Sequence, residues 1–241
     1  MAHKFTLQLL RKDTVAEGTM VFHFSKPEGF SFKAGQNADY TLINPPETDA
    51  EGNKRTFSFV SAPDDPELLI ATRMRDTAFK RTLKNMPGGT ELEMEGPYGD
   101  MTLHNRAERP AVFLAGGIGI TPFYSMVTDA AARHLPHKIY LFYSNRRPED
   151  APFLAELTGL QNQNPNYRLI GTMTNMEHSR QQWDGETGYI TPEMIKKYTG
   201  NLNGPVYYIA GPPTMLAAMR KMLNTAGIND DDIRSEEFAG Y

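Results

Sequence analysis

Leu114-Ala115-Gly116-Gly117-Ile118-Gly119-Ile120-Thr121-Pro122 is the stretch that decides the reading of this chain. It continues Ala111-Val112-Phe113, so residues 111–115 form an unbroken apolar run, as expected of a strand buried on both faces. The glycines permit a tight turn and let backbone come close to a ligand. A helical stretch follows over 121–133, with Pro122 suited to its first turn and Thr121 placed to cap it. Such a helix start offers unpaired N–H groups and a positive dipole end to a phosphate. Thr121-Pro122 replaces the third glycine of a G-x-G-x-x-G fingerprint, and alone the motif also fits a turn that serves only the strand–helix junction.

Working outward, strand and helix patterns alternate: 138–143 with 151–157, 167–174, 192–198, 205–210 with 213–226, and 232–238. That alternation predicts a parallel sheet with helices on both faces. A second loop, Ala210-Gly211-Pro212-Pro213, also joins an apolar run to a helix. Ligands of open α/β sheets bind beyond the carboxyl ends of the strands, where a dinucleotide site needs two such loops. Read alone, this loop is equally a rigid turn.

Upstream the grammar is different. Short β runs at 19–25, 38–42, 56–60, 68–72 and 91–95 are separated by Gly, Pro and Asp clusters, which predicts an antiparallel barrel or sandwich. One helix fits 77–85. The chain therefore divides into a β-barrel domain, 1–105, and an α/β domain, 106–241, with the polar stretch 103–110 as the hinge.

At 241 residues the chain is long enough for two domains, and 39% hydrophobic residues suffice for two cores. The net charge of −4 gives no reason to expect nucleic acid or an anionic membrane as partner. With no cysteine, disulfides, thiolate zinc sites, thiol nucleophiles and cysteine-ligated clusters are excluded, so redox chemistry must come from an organic cofactor or a partner. No metal site is expected. The chain has no secretory leader pattern and no apolar run of about 18 residues, so the expectation is a soluble, cytoplasmic protein.

Arg55-Thr56-Phe57-Ser58 lies on a β segment, with Arg55 and Phe57 on one face and Thr56 and Ser58 on the other. Alone it reads as an ordinary barrel strand. Its place in an ordered set adds to that: it is followed by Gly96-Pro97-Tyr98-Gly99, then Gly116 to Pro122, then Ala210 to Pro213, then Glu236-Glu237-Phe238. In this order the chain resembles the ferredoxin–NADP reductase superfamily, most closely the bacterial FAD-binding oxidoreductases that lack an iron–sulfur domain.

That resemblance implies bound FAD and NADPH or NADH as co-substrate. It places Arg55 on the FAD pyrophosphate, Phe57 against the isoalloxazine, and Ser58 beside flavin N5. Thr72, Arg73 and Met74 would edge the flavin through their backbone. Thr77, Ala78, Phe79 and Lys80 would start a pyrophosphate-binding helix, although the family's usual Gly and Ser are missing there. Gly116, Gly117, Gly119, Thr121 and Pro122 would cradle the dinucleotide, and Ala210, Gly211, Pro212 and Pro213 would lie under the nicotinamide. Many members have Cys where Ala210 stands. Glu237 and Phe238 match the segment that closes over the flavin, with Phe238 as the covering aromatic and Tyr241 as its rival. The catalytic set is thus Ser58, Glu237 and Phe238. All six histidines read as surface or packing residues.

The second strand of the α/β domain ends in Ser144-Asn145-Arg146-Arg147. Two arginines, Arg146 and Arg147, come before any acid, and an arginine with Ser144 makes a reasonable site for the extra phosphate of NADPH, the donor to which this reading leans, while Asp150, reaching back to a ribose, would suit NADH. The expected activity is hydride transfer from NAD(P)H to FAD, then electron delivery to a separate acceptor: a ferredoxin, a cytochrome, an oxygenase component or a quinone. The alternatives are an NAD(P)H:flavin reductase with flavin as substrate, and a redox-sensing subunit of a complex.

Overall fold

A computed structural model of the protein describes residues 3–238. The first sheet is built from β1 (His3–Ala16), β2 (Thr19–Ser25), β3 (Asn37–Leu42), β4 (Lys54–Ser58), β5 (Glu67–Arg73) and, after helix α1 (Ala78–Asn85), β6 (Glu91–Tyr98). The order is β4-β3-β6-β1-β2-β5, with every pairing antiparallel. Just beyond β4, Val60 N–H donates to Leu69 O of β5 at 2.8 Å, which draws the two edges together as a barrel. Alternation sets the inside: Ala38, Tyr40 and Leu42 of β3 and Leu92 and Met94 of β6 are buried. They meet Phe22, Phe24, Phe59 and Ile70, and α1 turns Phe79 and Leu83 into the same core.

The second sheet is parallel. β7 (Ala111–Gly116) leads through a single turn at Gly117–Gly119 into α2 (Ile120–Ala132), then come β8 (Ile139–Asn145), α3 (Leu154–Leu160), β9 (Tyr167–Met173), β10 (Glu186–Thr187), α4 (Pro192–Thr199), β11 (Val206–Gly211), α5 (Pro213–Thr225) and β12 (Ile233–Glu237). The order is β10-β9-β8-β7-β11-β12. Every residue of β7 and β11 is buried, as the unbroken apolar runs require. On one face Phe113 stacks on Phe123 of α2 at 4.7 Å, and this layer continues into Val21, Val60 and Ala71 of the barrel. The other face packs Leu114, Phe142 and Ile209 beneath α4 and α5.

Three local departures from the sequence reading have physical causes. The helix expected over 151–157 begins at Leu154, because Pro148–Asp150 forms a separate turn and Phe153 sits at φ 61. The second half of β1 hides its period behind Arg11, Lys12 and Asp13 and two register shifts against β2. The stretch read as a hinge is tied to the second sheet: His104 N–H donates to the Tyr208 hydroxyl at 2.9 Å, and Arg109 bonds Gly204 O, Pro205 O and Asp232.

Candidate functional site

The site begins where β7 ends. Gly117 has φ 53, a left-handed conformation that favours glycine. Gly119 is the N-cap of α2, and a Cβ there would lie 2.3 Å from Ala210 O. The two glycine loops therefore touch backbone to backbone at the carboxyl edge of the sheet. Thr121 does not cap the helix as expected. Already inside the first turn, its hydroxyl donates to Ile118 O at 3.1 Å.

Two cavities flank this edge. The barrel-side cavity, about 410 Å³, is lined by Arg55, Phe57, Ser58, Thr72, Lys80 and Phe238. Thr56, Arg73 and Thr77 also line it, and Ile118 and Thr121 reach it from the turn before α2. The second cavity, about 490 Å³, is lined by Gly116, Gly117, Ser144, Arg146, Asp150 and Pro212. Arg73 and Arg75 line both cavities, so the two adjoin.

The barrel-side cavity is rich in cations. Burial, with Arg75 and Arg55 nearby, pushes the Lys80 ammonium down to about 8. Its Nζ donates to Arg73 O at 2.7 Å. At α1, Thr77 caps the Lys80 N–H and the Asp49 carboxylate accepts the Ala78 N–H at 2.9 Å, which holds Asp49 below the usual carboxylate range. Arg55 Nη2 donates to Glu51 Oε2, and its Nη1 to Glu51 O, both at 2.8 Å. A pyrophosphate fits this donor set, because the chain's own carboxylates already occupy parts of it. Ala78 and Phe79 lie buried beneath it, so only their backbone is available.

The chemistry-bearing groups meet at Ser58. It is buried, and its Oγ has no hydrogen-bond partner. The neighbouring acid is Glu236 and not Glu237. Side chains alternate along β12, so Glu236 turns inward, where Asn37 Nδ2 donates to its Oε1 at 2.9 Å, while Glu237 is exposed. Burial raises the Glu236 carboxyl above its ordinary range; the Asn37 hydrogen bond offsets part of this, and Glu236 Oε2 completes no hydrogen bond. Phe238 N–H donates to Gly211 O at 3.2 Å, which sets that ring at the cavity. Tyr241 lies outside the described residues.

Pro212 lines the second cavity, whereas Ala210, Gly211 and Pro122 are buried and do not line it, and Pro213 opens α5. Arg147 does not line it: its Nε and Nη2 donate to Asp150 at 2.9 and 2.8 Å. Sequence reasoning missed Arg75, Thr174, Tyr189 and Thr214 here. Tyr189 left the clearest signal, a large aromatic 78% exposed just after Gly188 at φ 84. Among the described residues no group of three or more metal-ligating side chains occurs, and no helix is long and apolar enough to cross a membrane.

Residues 113–221 match the family model of the oxidoreductase NAD-binding domain. Its two-domain fold is that of ferredoxin–NADP reductase-like proteins. It is 27% identical over 201 residues to a subunit of the Na(+)-translocating NADH-quinone reductase of Actinobacillus succinogenes, covering 77% of this chain and 49% of that one. It is 26% identical over 223 residues to the glycine betaine monooxygenase reductase subunit of Chromohalobacter salexigens, covering 91% and 60%. The chain thus spans about half to three-fifths of the length of these relatives. In fold it matches a ferredoxin NADP+ reductase from Neisseria gonorrhoeae solved with bound FAD and NADP, at a TM-score of 0.79 and 22% identity, covering 98% and 99% of the two chains.

Proposed function

We propose that this chain takes a hydride from NADH onto FAD held in the barrel-side cavity and passes the electrons to a separate acceptor. The observation that carries this reading is the join between the cavities: Arg73 and Arg75 line both, and Ile118 and Thr121 of the phosphate turn lie in the same cavity as Phe57 and Ser58. A dinucleotide bound along the glycine loops would therefore end beside a flavin.

FAD, when bound, would supply the redox chemistry between the nicotinamide and the acceptor. The protein binds and orients. Arg55, Lys80 and the start of α1 neutralise pyrophosphate. The Ser58 hydroxyl, lacking a protein partner, is free to bond the reacting edge of the ring. Glu236 stands behind it, its carboxyl raised above the ordinary range by burial. Phe238 supplies an apolar wall that must yield to the nicotinamide.

NADH is favoured over NADPH because one of the two arginines that suggested a phosphate site is bound to Asp150, whose carboxylate lines the cavity and suits a ribose diol. The acceptor is a separate redox component. A quinone or an oxygenase suits the names of the relatives, and a ferredoxin or cytochrome suits the same site. The grip of Glu51 on Arg55 favours a second reading, in which flavin binds loosely and leaves as a substrate.

Purification and anaerobic titration decide between the two. The first reading requires a yellow protein with one FAD per chain, bleached faster by NADH than by NADPH. A colourless protein that reduces added flavin supports the second, and one with no reductase activity in either assay defeats both.

A further inference from the structure

The tip of the β1–β2 hairpin crosses from the barrel to the rim of the second cavity. Glu17 N–H donates to Glu149 O at 2.8 Å. The Glu17 carboxylate then binds two arginines of the α/β domain: Oε2 accepts from Arg147 Nη2 at 2.8 Å, and Oε1 accepts from Arg180 Nη2. Arg147 in turn grips both oxygens of Asp150, whose side chain is 7% exposed and lines the cavity. Glu149 completes the cluster by accepting from the Arg180 N–H and the Ser179 hydroxyl. The next residue of the hairpin, Gly18, stands at φ 66 and accepts the Met74 N–H at 2.7 Å, between the two arginines that line both cavities.

We propose that Glu17 determines nucleotide specificity from the opposite domain: it holds Arg147 and Arg180 off the adenosine ribose and fixes Asp150 toward it, so the site takes a ribose diol and rejects a 2′-phosphate. This rests on the reading of the second cavity as the nicotinamide dinucleotide site. Adjacent arginines otherwise form a phosphate site, since each guanidinium presents a fork of donors matched to phosphate oxygens. Here the forks of Arg147 and Arg180 are turned to carboxylates. Asp150, held by Arg147 and kept ionised below the usual range, is an acceptor for hydroxyl groups and repels an anion. Arg146, exposed at the rim, is left as the one cation of the Arg146-Arg147 pair that lines the cavity.

Glu17 acts through Arg147, so it is a positioning residue. Its side chain is 42% exposed, and an exposed ion pair contributes little to stability, so Glu17→Gln should fold. The test is calorimetric binding of two probes, 5′-AMP and 2′,5′-ADP, to the purified protein. With one negative charge fewer, Arg180 released and Arg147 held by Asp150 without Glu17, Glu17→Gln should bind 2′,5′-ADP about fivefold more tightly, while 5′-AMP weakens about twofold. Glu17→Asp, which keeps the charge, should return the ratio toward wild type. The double variant Glu17→Gln, Arg147→Gln should lose the gain. An unchanged ratio in Glu17→Gln, or equal weakening of both probes, overturns the proposal while leaving the dinucleotide site intact. A wild type that binds neither probe overturns both readings.

Discussion

Two glycines of one turn should respond to the same methyl group by very different amounts. In Gly119→Ala the new Cβ would stand 2.3 Å from Ala210 O, 2.5 Å from Ala210 C and 2.6 Å from Gly211 N. All three are backbone atoms, and Ala210 is held in register against Ala115 of the neighbouring strand, so it has no room to retreat. An overlap of about 1 Å against fixed backbone puts the cost at the upper end for overpacking, about 3 kcal/mol. For a chain of this size that corresponds to a fall in Tm of roughly 6–12 °C. In Gly116→Ala the close atom is Met215 Sδ at 2.3 Å, the end of a flexible side chain, with Pro212 Cδ next at 3.2 Å. Met215 can turn away, so the cost should stay near about 1 kcal/mol. Thermal unfolding of both variants, with 5′-AMP binding measured beside it, checks this. Gly119→Ala should also lose at least about tenfold in affinity, because the turn must leave Ala210. A Gly119→Ala protein that melts with wild type, or a Gly116→Ala protein that is the more damaged, refutes the reasoning.

Ser58→Ala should retain its fold, since the hydroxyl has no protein partner, yet slow flavin reduction by NADH about ten- to a hundredfold in stopped flow; an unchanged rate removes Ser58 from the chemistry. Glu236 carries a raised pKa, so the folded chain holds a proton that the unfolded chain has lost, and this contribution disappears as pH rises through the folded value. Glu236→Gln should therefore gain more Tm at about pH 8 than at about pH 5, and an equal gain at both contradicts the assignment. Burial pushes His104 down to about 4, so stability should fall as pH drops from its unfolded value, by about 2 kcal/mol between about pH 6.5 and 5. Urea unfolding of wild type and His104→Asn should show that slope only in the former. Glu51→Gln should free Arg55 and tighten FAD about threefold in a fluorescence titration of flavin-free protein, and weaker binding would mean that Glu51 helps to build the site.

What the sequence disclosed was what local physics enforces. The runs at β7 and β11 read as buried strands because both faces are covered, and Gly117 and Gly119 read as a turn because a side chain would clash or strain there. Arg55, Phe57, Ser58 and Phe238 follow from an ordered set of motifs and do line one cavity. Position along β12 is less secure: a slip of one residue reverses a strand's faces, and so the inward acid is Glu236. The state of Arg147 is hidden for another reason. Glu17 lies 130 residues away along the chain, and no local pattern announces that the two will meet. Thr121 reads as a cap because a Thr before a Pro signals a helix start. That signal does not say which residue the preceding turn leaves at the boundary, and here the residue is Gly119.

The barrel does not finish its own cavity. Asn37 holds Glu236 across a separation of 199 residues, and Phe238 lines the barrel-side cavity from the strand that edges the other sheet. During synthesis the barrel strands leave the ribosome long before β12 exists. A nascent chain at that stage has a cavity open on the side where Phe238 will stand, with Asn37 lacking its acid. The strand that edges the second sheet thus supplies a wall and a buried acid that the barrel strands do not provide for themselves.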